Sequence, residues 1–191
     1  KLGKDKNLLN KAMLYSINSG GKRFRPYLVY TFGKELNLSH NLIFNLAAII
    51  EMLHNYSLVH DDLPSMDNDK FRRGKKTTHY KYNEYIAILA GCALLTKSYQ
   101  ILSSKALRLS DKKKIKLIDT ISKVSGEKGL LLGQYHDLSI QSPSISDRIR
   151  VNKLKTARLM SYCCQAVAIC AGKNKNIENN FKKAGQYIGE I

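Results

Sequence analysis

The segment His60–Gly74, HDDLPSMDNDKFRRG, places four aspartates and two adjacent arginines within fifteen residues. The chain as a whole carries 32 Lys and Arg against 15 Asp and Glu, a formal net charge of +17. Asp61 and Asp62 fall at the predicted carboxyl end of a helix, where the helix dipole disfavours each carboxylate by about 0.3–1 kcal/mol. A positive partner should therefore compensate them, and hard carboxylate oxygens suit Mg²⁺ or Ca²⁺.

Two other interpretations of the acidic segment are a solvated turn and an EF-hand loop. A solvated turn is the ordinary outcome for an isolated pair of aspartates. An EF-hand is excluded because, counting from Asp67, Phe71 would take the fifth ligand position and Arg72 the position that needs glycine. Mg²⁺ held by only two or three carboxylates keeps positions for water and substrate phosphates.

Basic residues near the aspartates fit a phosphate-bearing substrate. Those able to receive phosphate oxygens are Lys22, Arg23 and Arg25 of GGKRFRP, together with Arg72 and Arg73. His54 lies two helical turns before Asp61, so both project from one helix face about 10.5 Å apart along the axis. This face, above an apolar interior, predicts a cavity with a charged mouth and an apolar floor. The substrate that it suggests is a diphosphate with a hydrocarbon tail.

Helices must position these residues, because apolar side chains recur at helical spacing and only three prolines occur. Over residues 41–60 one apolar stripe consists of Leu42, Leu46, Ile49, Leu53 and Tyr56. Ser39 is the expected N-cap, and Pro64 ends this helix near Asp62. Further helices are predicted over 24–36, 78–104, 113–135, 146–171 and from 178 onward, with loops at SGGKR, PSMDNDKFRRGKK and SIQSPS and no strand. The predicted fold class is all-α, in one domain over residues 1–191.

The composition of the chain argues against a membrane protein and a nucleic-acid-binding protein. No apolar run approaches eighteen residues and no charged-then-apolar leader is visible, which favours a soluble cytoplasmic protein without stable membrane insertion. The four cysteines form no CxxC pair and are expected to be reduced core residues. A basic nucleic-acid or membrane-surface protein is supported by net charge alone. The lysines are scattered without interleaved aromatics, so we expect solvated helix faces and no nucleic-acid partner.

The order of motifs resembles the trans-isoprenyl diphosphate synthases, and within that family the bacterial farnesyl diphosphate synthases. The family's first aspartate-rich motif, DDx₄D followed by RRG, is matched by DDLPSMDNDKFRRG. The other matching segments, in order, are GGKRFRP, EMLHNYSLVHDD, THYKYNEYIAILAGCALL, GQYHDL and KTARLM. The resemblance covers essentially the whole chain. It implies a helical bundle around a central cavity, the type I isoprenoid synthase fold, and a homodimer.

The implied activity is head-to-tail prenyl transfer between isopentenyl diphosphate and allylic diphosphates such as dimethylallyl and geranyl diphosphate. By resemblance, Asp61, Asp62 and Asp67 hold Mg²⁺, and Asp61, Asp62 and Lys155 are the catalytic residues. The residues expected to bind allylic diphosphate are Arg72, Lys155 and Thr156, and those expected to bind isopentenyl diphosphate are Lys22, Arg25, His54 and Arg73. Gln134 and Asp137 match family positions near the cavity or are structural. His60 is a rival base, although the family pattern makes it a supporting residue.

Product length is expected from residues just upstream of the first aspartate. The fifth residue upstream is Tyr56 and the fourth is Ser57. By resemblance, an aromatic at the fifth position together with DDx₄D indicates a fifteen-carbon product, farnesyl diphosphate. A geranylgeranyl diphosphate synthase and a non-catalytic, diphosphate-binding subunit of a prenyl synthase remain alternatives. Turnover of the purified chain would separate an enzyme from such a subunit.

The family's second aspartate-rich motif has no counterpart in the chain. The last residues, AGQYIGEI, resemble the segment that precedes this motif, and the sequence begins at Lys1 without methionine. An incomplete sequence, a fragment and a degenerate gene product each account for this, and the first is favoured because every earlier motif is intact. If the molecule does end at Ile191, one metal-bearing wall is missing and little or no transferase activity is expected.

Overall fold

The computed structural model describes residues 7–191, which form two compact units. Unit 1 comprises the described residues up to Arg23 together with 48–101, and unit 2 comprises 24–47 and 102–191. The helices are α1 (Leu8–Asn18), α2 (Phe24–Glu35), α3 (His40–Asp61), α4 (Thr78–Lys81), α5 (Glu84–Ser103), α6 (Asp111–Ser125), α7 (Leu130–Ser139), α8 (Ile145–Asn152), α9 (Arg158–Cys170) and α10 (Lys175–Glu190). A short 3₁₀ helix spans Lys105–Leu107, and a π-helical turn spans Lys153–Ala157. The all-α class is confirmed.

Helix α3 is the element that carries the aspartates, and its sequence explains both of its ends. Ser39 caps the start, because its hydroxyl accepts a hydrogen bond from the backbone of Leu42 at 3.3 Å. The predicted apolar stripe is buried throughout. The helix ends at Asp61, three residues before Pro64. Both the cap and the stripe were therefore predicted correctly.

In unit 2, helix α9 is the buried centre, since all of its residues except Arg158 are buried. Helix α10 reaches the α9 backbone through two glycines. A Cβ on Gly185 would lie 2.5 Å from the carbonyl oxygen of Met160, and one on Gly189 would lie 2.6 Å from the Cα of Ala157. Only glycine lets α10 approach this closely. Gly133 of α7 plays the same part against the π-helical turn, since a Cβ there would lie 2.7 Å from the backbone nitrogen of Lys155.

Several predicted boundaries were wrong. The segment predicted as the loop PSMDNDKFRRGKK contains an antiparallel hairpin, β1 (Phe71–Arg72) and β2 (Lys75–Lys76). The helix predicted over 78–104 is broken before Glu84, where the side chain of Asn83 accepts a bond from the backbone of Ile86 at 3.0 Å. The helix predicted over 113–135 is two helices, because the chain turns between Gly126 and Gly129. Helix α1 was not predicted.

Two helices, α3 and α5, are long and apolar enough in composition to cross a membrane. The apolar window of α3 is 61% buried inside the protein, as for a core helix, whereas that of α5 is 39% buried. Length and composition alone do not separate a core helix from a span. The incomplete burial of α5 instead marks an apolar face that the described residues leave exposed.

The cysteines differ in their surroundings. All four are free, and Cys163, Cys164 and Cys170 are buried, but Cys92 is exposed. Burial raises the pKa of both the Cys164 and the Cys170 thiol to about 12. These two thiols are therefore protonated and unreactive near neutral pH. The prediction of buried, reduced cysteines holds for three positions and was wrong for Cys92, which lies on the exposed side of α5.

Candidate active site

Two adjacent carboxylates close the end of α3 in unit 1. Asp61 is 8% exposed and Asp62 is 4% exposed, although the partial negative charge of the helix end disfavours both. The chain turns back after them, and the backbone nitrogen of Asp67 bonds the carbonyl oxygen of Asp61 at 2.9 Å. The Asp67 side chain is exposed. Within residues 7–191 no group of three His, Cys, Asp or Glu is gathered in a geometry that could hold a metal.

Arg72 forms an ion pair with Asp62. Its Nε donates to Oδ1 of Asp62 at 2.6 Å, and its Nη2 donates to Oδ2 of Asp69 at 3.3 Å. Burial raises the pKa of the Asp62 carboxyl, while the hydrogen bond and charge of Arg72 act in the opposite direction. The ionised form is thus held at a net penalty. Further positive charge beside Asp61 and Asp62 is therefore favourable. Their buried carboxylate oxygens are hard donors, which fit a divalent cation such as Mg²⁺.

The RRG sequence forms the turn of the hairpin. Phe71 pairs with Lys76 and Arg72 with Lys75, so Arg73 and Gly74 are the two central residues. Both have positive φ, 54° and 73°, as a two-residue hairpin turn requires. Glycine accepts this conformation readily, but arginine does so rarely. The turn therefore holds Arg73 in a strained position, and its side chain bonds a different partner from that of Arg72.

Arg73 reaches the loop of residues 19–23, which we call the glycine loop. Its Nη1 donates to the carbonyl oxygen of Gly20 at 2.5 Å, and a Cβ on Gly21 would collide with its guanidinium. Lys75 donates to the carbonyl oxygen of Asn18 at 3.3 Å just before this loop. The hairpin and the glycine loop are thus joined within unit 1, by a bond between residues 53 positions apart in sequence.

The glycine loop is also anchored to α3 by a pair that sequence reasoning missed. Arg23 donates to the Glu51 carboxylate and to the carbonyl oxygen of Ile17. Glu51 is 9% exposed, and its Oε1 also accepts from Nδ2 of Asn55 at 3.2 Å. The available signal was a single glutamate inside the apolar stretch of α3. Lys22, the predicted phosphate ligand beside Arg23, is exposed.

The remaining predicted residues of unit 1 lie along α3. Tyr56 is 6% exposed and its ring packs edge-on against His60, with centroids 5.1 Å apart. The Nε2 of His60 lies 3.1 Å from the carbonyl oxygen of Ile88, so this nitrogen is the donor, because a carbonyl can only accept. His60 therefore supports Tyr56 and α5. Ser57 donates to the carbonyl oxygen of His54 at 2.9 Å.

The other predicted ligands, Arg25, Gln134, Lys155 and Thr156, belong to unit 2. Lys155 stands on the π-helical turn and its Nζ lies 2.8 Å from Oδ2 of Asp137. A cavity of about 330 Å³, large enough for a diphosphate, is lined by Asp137, Arg148, Lys155 and Thr156. Gln134 is 6% exposed, and neither its nitrogen nor its oxygen has a hydrogen-bond partner among residues 7–191.

Comparison with known proteins identifies the class. The polyprenyl synthetase family model matches residues 6–191, and the chain belongs to this family. It is 35% identical over 184 residues to the farnesyl diphosphate synthase of Geobacillus stearothermophilus, an alignment that covers 95% of this chain. It is also 35% identical over 178 residues to the geranylgeranyl diphosphate synthase of Cyanophora paradoxa, covering 92% of this chain.

The fold agrees with that class. The crystal structure of an FPP/GFPP synthase from Zymomonas mobilis superposes with a TM-score of 0.93 at 34% identity, covering 98% of this chain and 70% of that one. The isoprenoid synthase fold predicted from the motifs is thus confirmed. The chain spans 62% of the length of the Geobacillus enzyme and 59% of the Cyanophora enzyme.

The pairing of Arg72 with Asp62 predicts a pH-dependent loss of stability in Arg72→Ala. Without the guanidinium the pKa of Asp62 rises further, so the ionised carboxylate is destabilised by about 1–3 kcal/mol. A carboxyl with a raised folded pKa binds its proton more tightly in the folded state than in the unfolded state. Its contribution to the free energy of unfolding is therefore complete below the unfolded pKa, about 3.9, and is lost as pH rises through the folded pKa. We therefore expect the variant to lose stability relative to wild type as pH rises from 4 to 8.

Urea unfolding at several pH values measures this effect, and Arg72→Lys is the matched control because it keeps the charge without the fork. The lysine variant should lie between wild type and Arg72→Ala. A constant difference between Arg72→Ala and wild type from pH 4 to pH 8 would contradict the assignment.

Proposed function

We propose that the protein carrying this chain is a Mg²⁺-dependent prenyltransferase that condenses isopentenyl diphosphate with dimethylallyl or geranyl diphosphate to give farnesyl diphosphate. The observation that carries the proposal is the burial of Asp61 and Asp62 at a helix end, with Arg72 paired to Asp62. Membership of the polyprenyl synthetase family supports the reaction class. The similarity to farnesyl diphosphate synthases supports the product.

The proposed residues divide between the two diphosphates. Asp61, Asp62 and Asp67 hold Mg²⁺, which when bound supplies positive charge where the allylic diphosphate departs. Two of the five N–H groups of Arg72 bond Asp62 and Asp69, which leaves the others able to donate to phosphate oxygens. The other proposed allylic-diphosphate ligands are Lys155 and Thr156, supported by Gln134. The proposed isopentenyl-diphosphate ligands are Lys22, Arg25, His54 and Arg73.

The proposed reaction needs no nucleophilic side chain. The allylic C–O bond breaks and its electron pair leaves with the diphosphate, and the isopentenyl double bond then attacks the allylic carbon. A proton is lost from the isopentenyl unit, with the released diphosphate as the proposed acceptor. Water must be excluded from the cation, which is why an apolar tail pocket closed by Tyr56 and Ser57 suits the chemistry.

We further propose that the protein acts as a homodimer through α5. Tyr85 is 61% exposed, Ile88 40% and Leu89 49%, and these residues lie on one helix face together with Cys92. A contiguous apolar face of this kind is typical of an interaction surface. The proposed location is the cytoplasm, where reducing conditions suit four free cysteines.

Turnover by the complete protein tests the proposed activity. With labelled isopentenyl diphosphate, geranyl diphosphate and Mg²⁺, we expect farnesyl diphosphate on product chromatography and none without metal. Asp62→Asn should lower kcat by about 10²-fold or more, because charge stabilisation of the leaving group is lost. Asp119→Asn, an exposed change on α6, should leave the rate unchanged. Diphosphate binding measured by calorimetry without any turnover would favour the non-catalytic subunit instead.

Product length tests Tyr56. Removing the ring in Tyr56→Ala opens the proposed floor of the tail pocket, so products longer than fifteen carbons should appear. Truncating a buried aromatic costs about 3–5 kcal/mol, so the milder Tyr56→Leu is measured alongside it. Tyr187→Ala, at a 62% exposed ring, is the control. An unchanged product in both Tyr56 variants would remove this residue from the floor, and a wild-type product of twenty carbons would favour geranylgeranyl diphosphate.

The dimer proposal predicts that a charge on the α5 face dissociates the protein. Leu89→Glu should halve the mass measured by sedimentation equilibrium, because an unpaired carboxylate in an apolar interface is strongly disfavoured. Ile115→Glu places the same charge at a 66% exposed position of α6 and should leave the mass unchanged. A monomeric wild type, or a dimer unaffected by Leu89→Glu, would refute this interface.

A further inference from the structure

The basic motif GGKRFRP contains three cations, of which the resemblance assigns Lys22 and Arg25 to isopentenyl diphosphate and gives Arg23 no role. The structure separates two of them by their contacts. Arg23 is 37% exposed in its side chain and is engaged by the Glu51 carboxylate and by the carbonyl oxygen of Ile17. Lys22 next to it is exposed. Arg23 thus faces into unit 1 while Lys22 is accessible to an anion.

Glu51 is held so that its position is well defined. It is 9% exposed, and the side chain of the buried Asn55 bonds both its carbonyl oxygen, at 2.8 Å, and its Oε1, at 3.2 Å. Arg23 bonds the same carboxylate. A buried carboxylate must be paired to remain ionised, so the ion pair with Arg23 is required as long as Glu51 is charged.

The glycine loop needs such an anchor because its backbone is strained. Arg23 has φ of 51°, the left-handed region that residues other than glycine rarely occupy. Gly20 and Gly21 have φ of 100° and 119°, which gives the loop many alternative conformations when it is not held. A second contact to the loop comes from Arg73, which bonds the carbonyl oxygen of Gly20 at 2.5 Å.

We propose that Glu51 is a positioning residue for isopentenyl diphosphate, acting through Arg23 to hold the glycine loop in the conformation that presents Lys22. This inference rests on the proposed function of Lys22. Pairing with Glu51 also removes Arg23 from competition for the diphosphate. His54, another proposed ligand, lies three residues after Glu51 on the same face of α3, so the anchor and that ligand share one rigid element.

Steady-state kinetics of the complete protein test the role. Glu51→Gln should raise KM for isopentenyl diphosphate about tenfold, the effect of losing one charged hydrogen bond, with KM for geranyl diphosphate and kcat nearly unchanged. Arg23→Gln breaks the same pair from its less buried partner and should have the same effect. The double variant should be no worse than either single one, and Arg23→Lys should restore part of the affinity. Glu35→Gln, at an exposed position, is the control.

Hydrogen exchange of the ligand-free protein separates this inference from the proposed function. The backbone amides of residues 20–23 should exchange faster in Glu51→Gln and Arg23→Gln than in wild type, whether or not the protein turns over. Unchanged exchange in this loop would overturn the inference. Equal losses for both substrates, or additive effects in the double variant, would also overturn it. Absence of wild-type turnover would refute the proposed function and leave the exchange result to decide the role of Glu51.

Discussion

The structure of unit 1 is organised around two adjacent carboxylates at the end of α3. Asp61 and Asp62 are almost fully buried at a helix terminus that already carries partial negative charge. Such an arrangement persists only if cations are brought to it. The hairpin performs this task, because it returns the chain so that Arg72 meets Asp62 at 2.6 Å. Burial leaves a net penalty on the ionised Asp62, so further positive charge beside this pair is favourable.

Two strained backbone positions carry cations at the glycine loop. Arg23 and Arg73 both adopt left-handed φ values, and both bond backbone carbonyl oxygens near or within the glycine loop. Strained residues of this kind are held only when the surrounding contacts determine them fully. Here Glu51 supplies the contact on one side and the hairpin supplies it on the other. The basic residues are therefore arranged by the fold before any anion binds, which lowers the ordering entropy that binding would otherwise require.

The helical elements were largely predictable, and the failures have local causes. The α3 stripe and its Ser39 cap were predicted correctly because both are local signals, although burial extends beyond the stripe to Ile43 and Ile50. The hairpin was missed because two-residue strands leave no periodic signal and Arg-Gly is an unusual turn pair. The break between α6 and α7 had a local signal that was passed over, because residues 125–129 hold two glycines and no apolar side chain before the pattern resumes at Leu130. Glu51 was missed because its role depends on Arg23, 28 residues away.

The sequence alone determined the family and the all-α class, since ordered motifs and helical spacing are local features, and it predicted the roles of the aspartates and cations. Only the tertiary structure decided how the cations are used. Arg72 pairs with Asp62, Arg73 with the glycine loop and Arg23 with Glu51, while Lys22 is exposed. The two adjacent arginines of RRG therefore have different partners. Charge pairing depends on distances between chain segments, and the spacing of residues within one segment does not encode those distances.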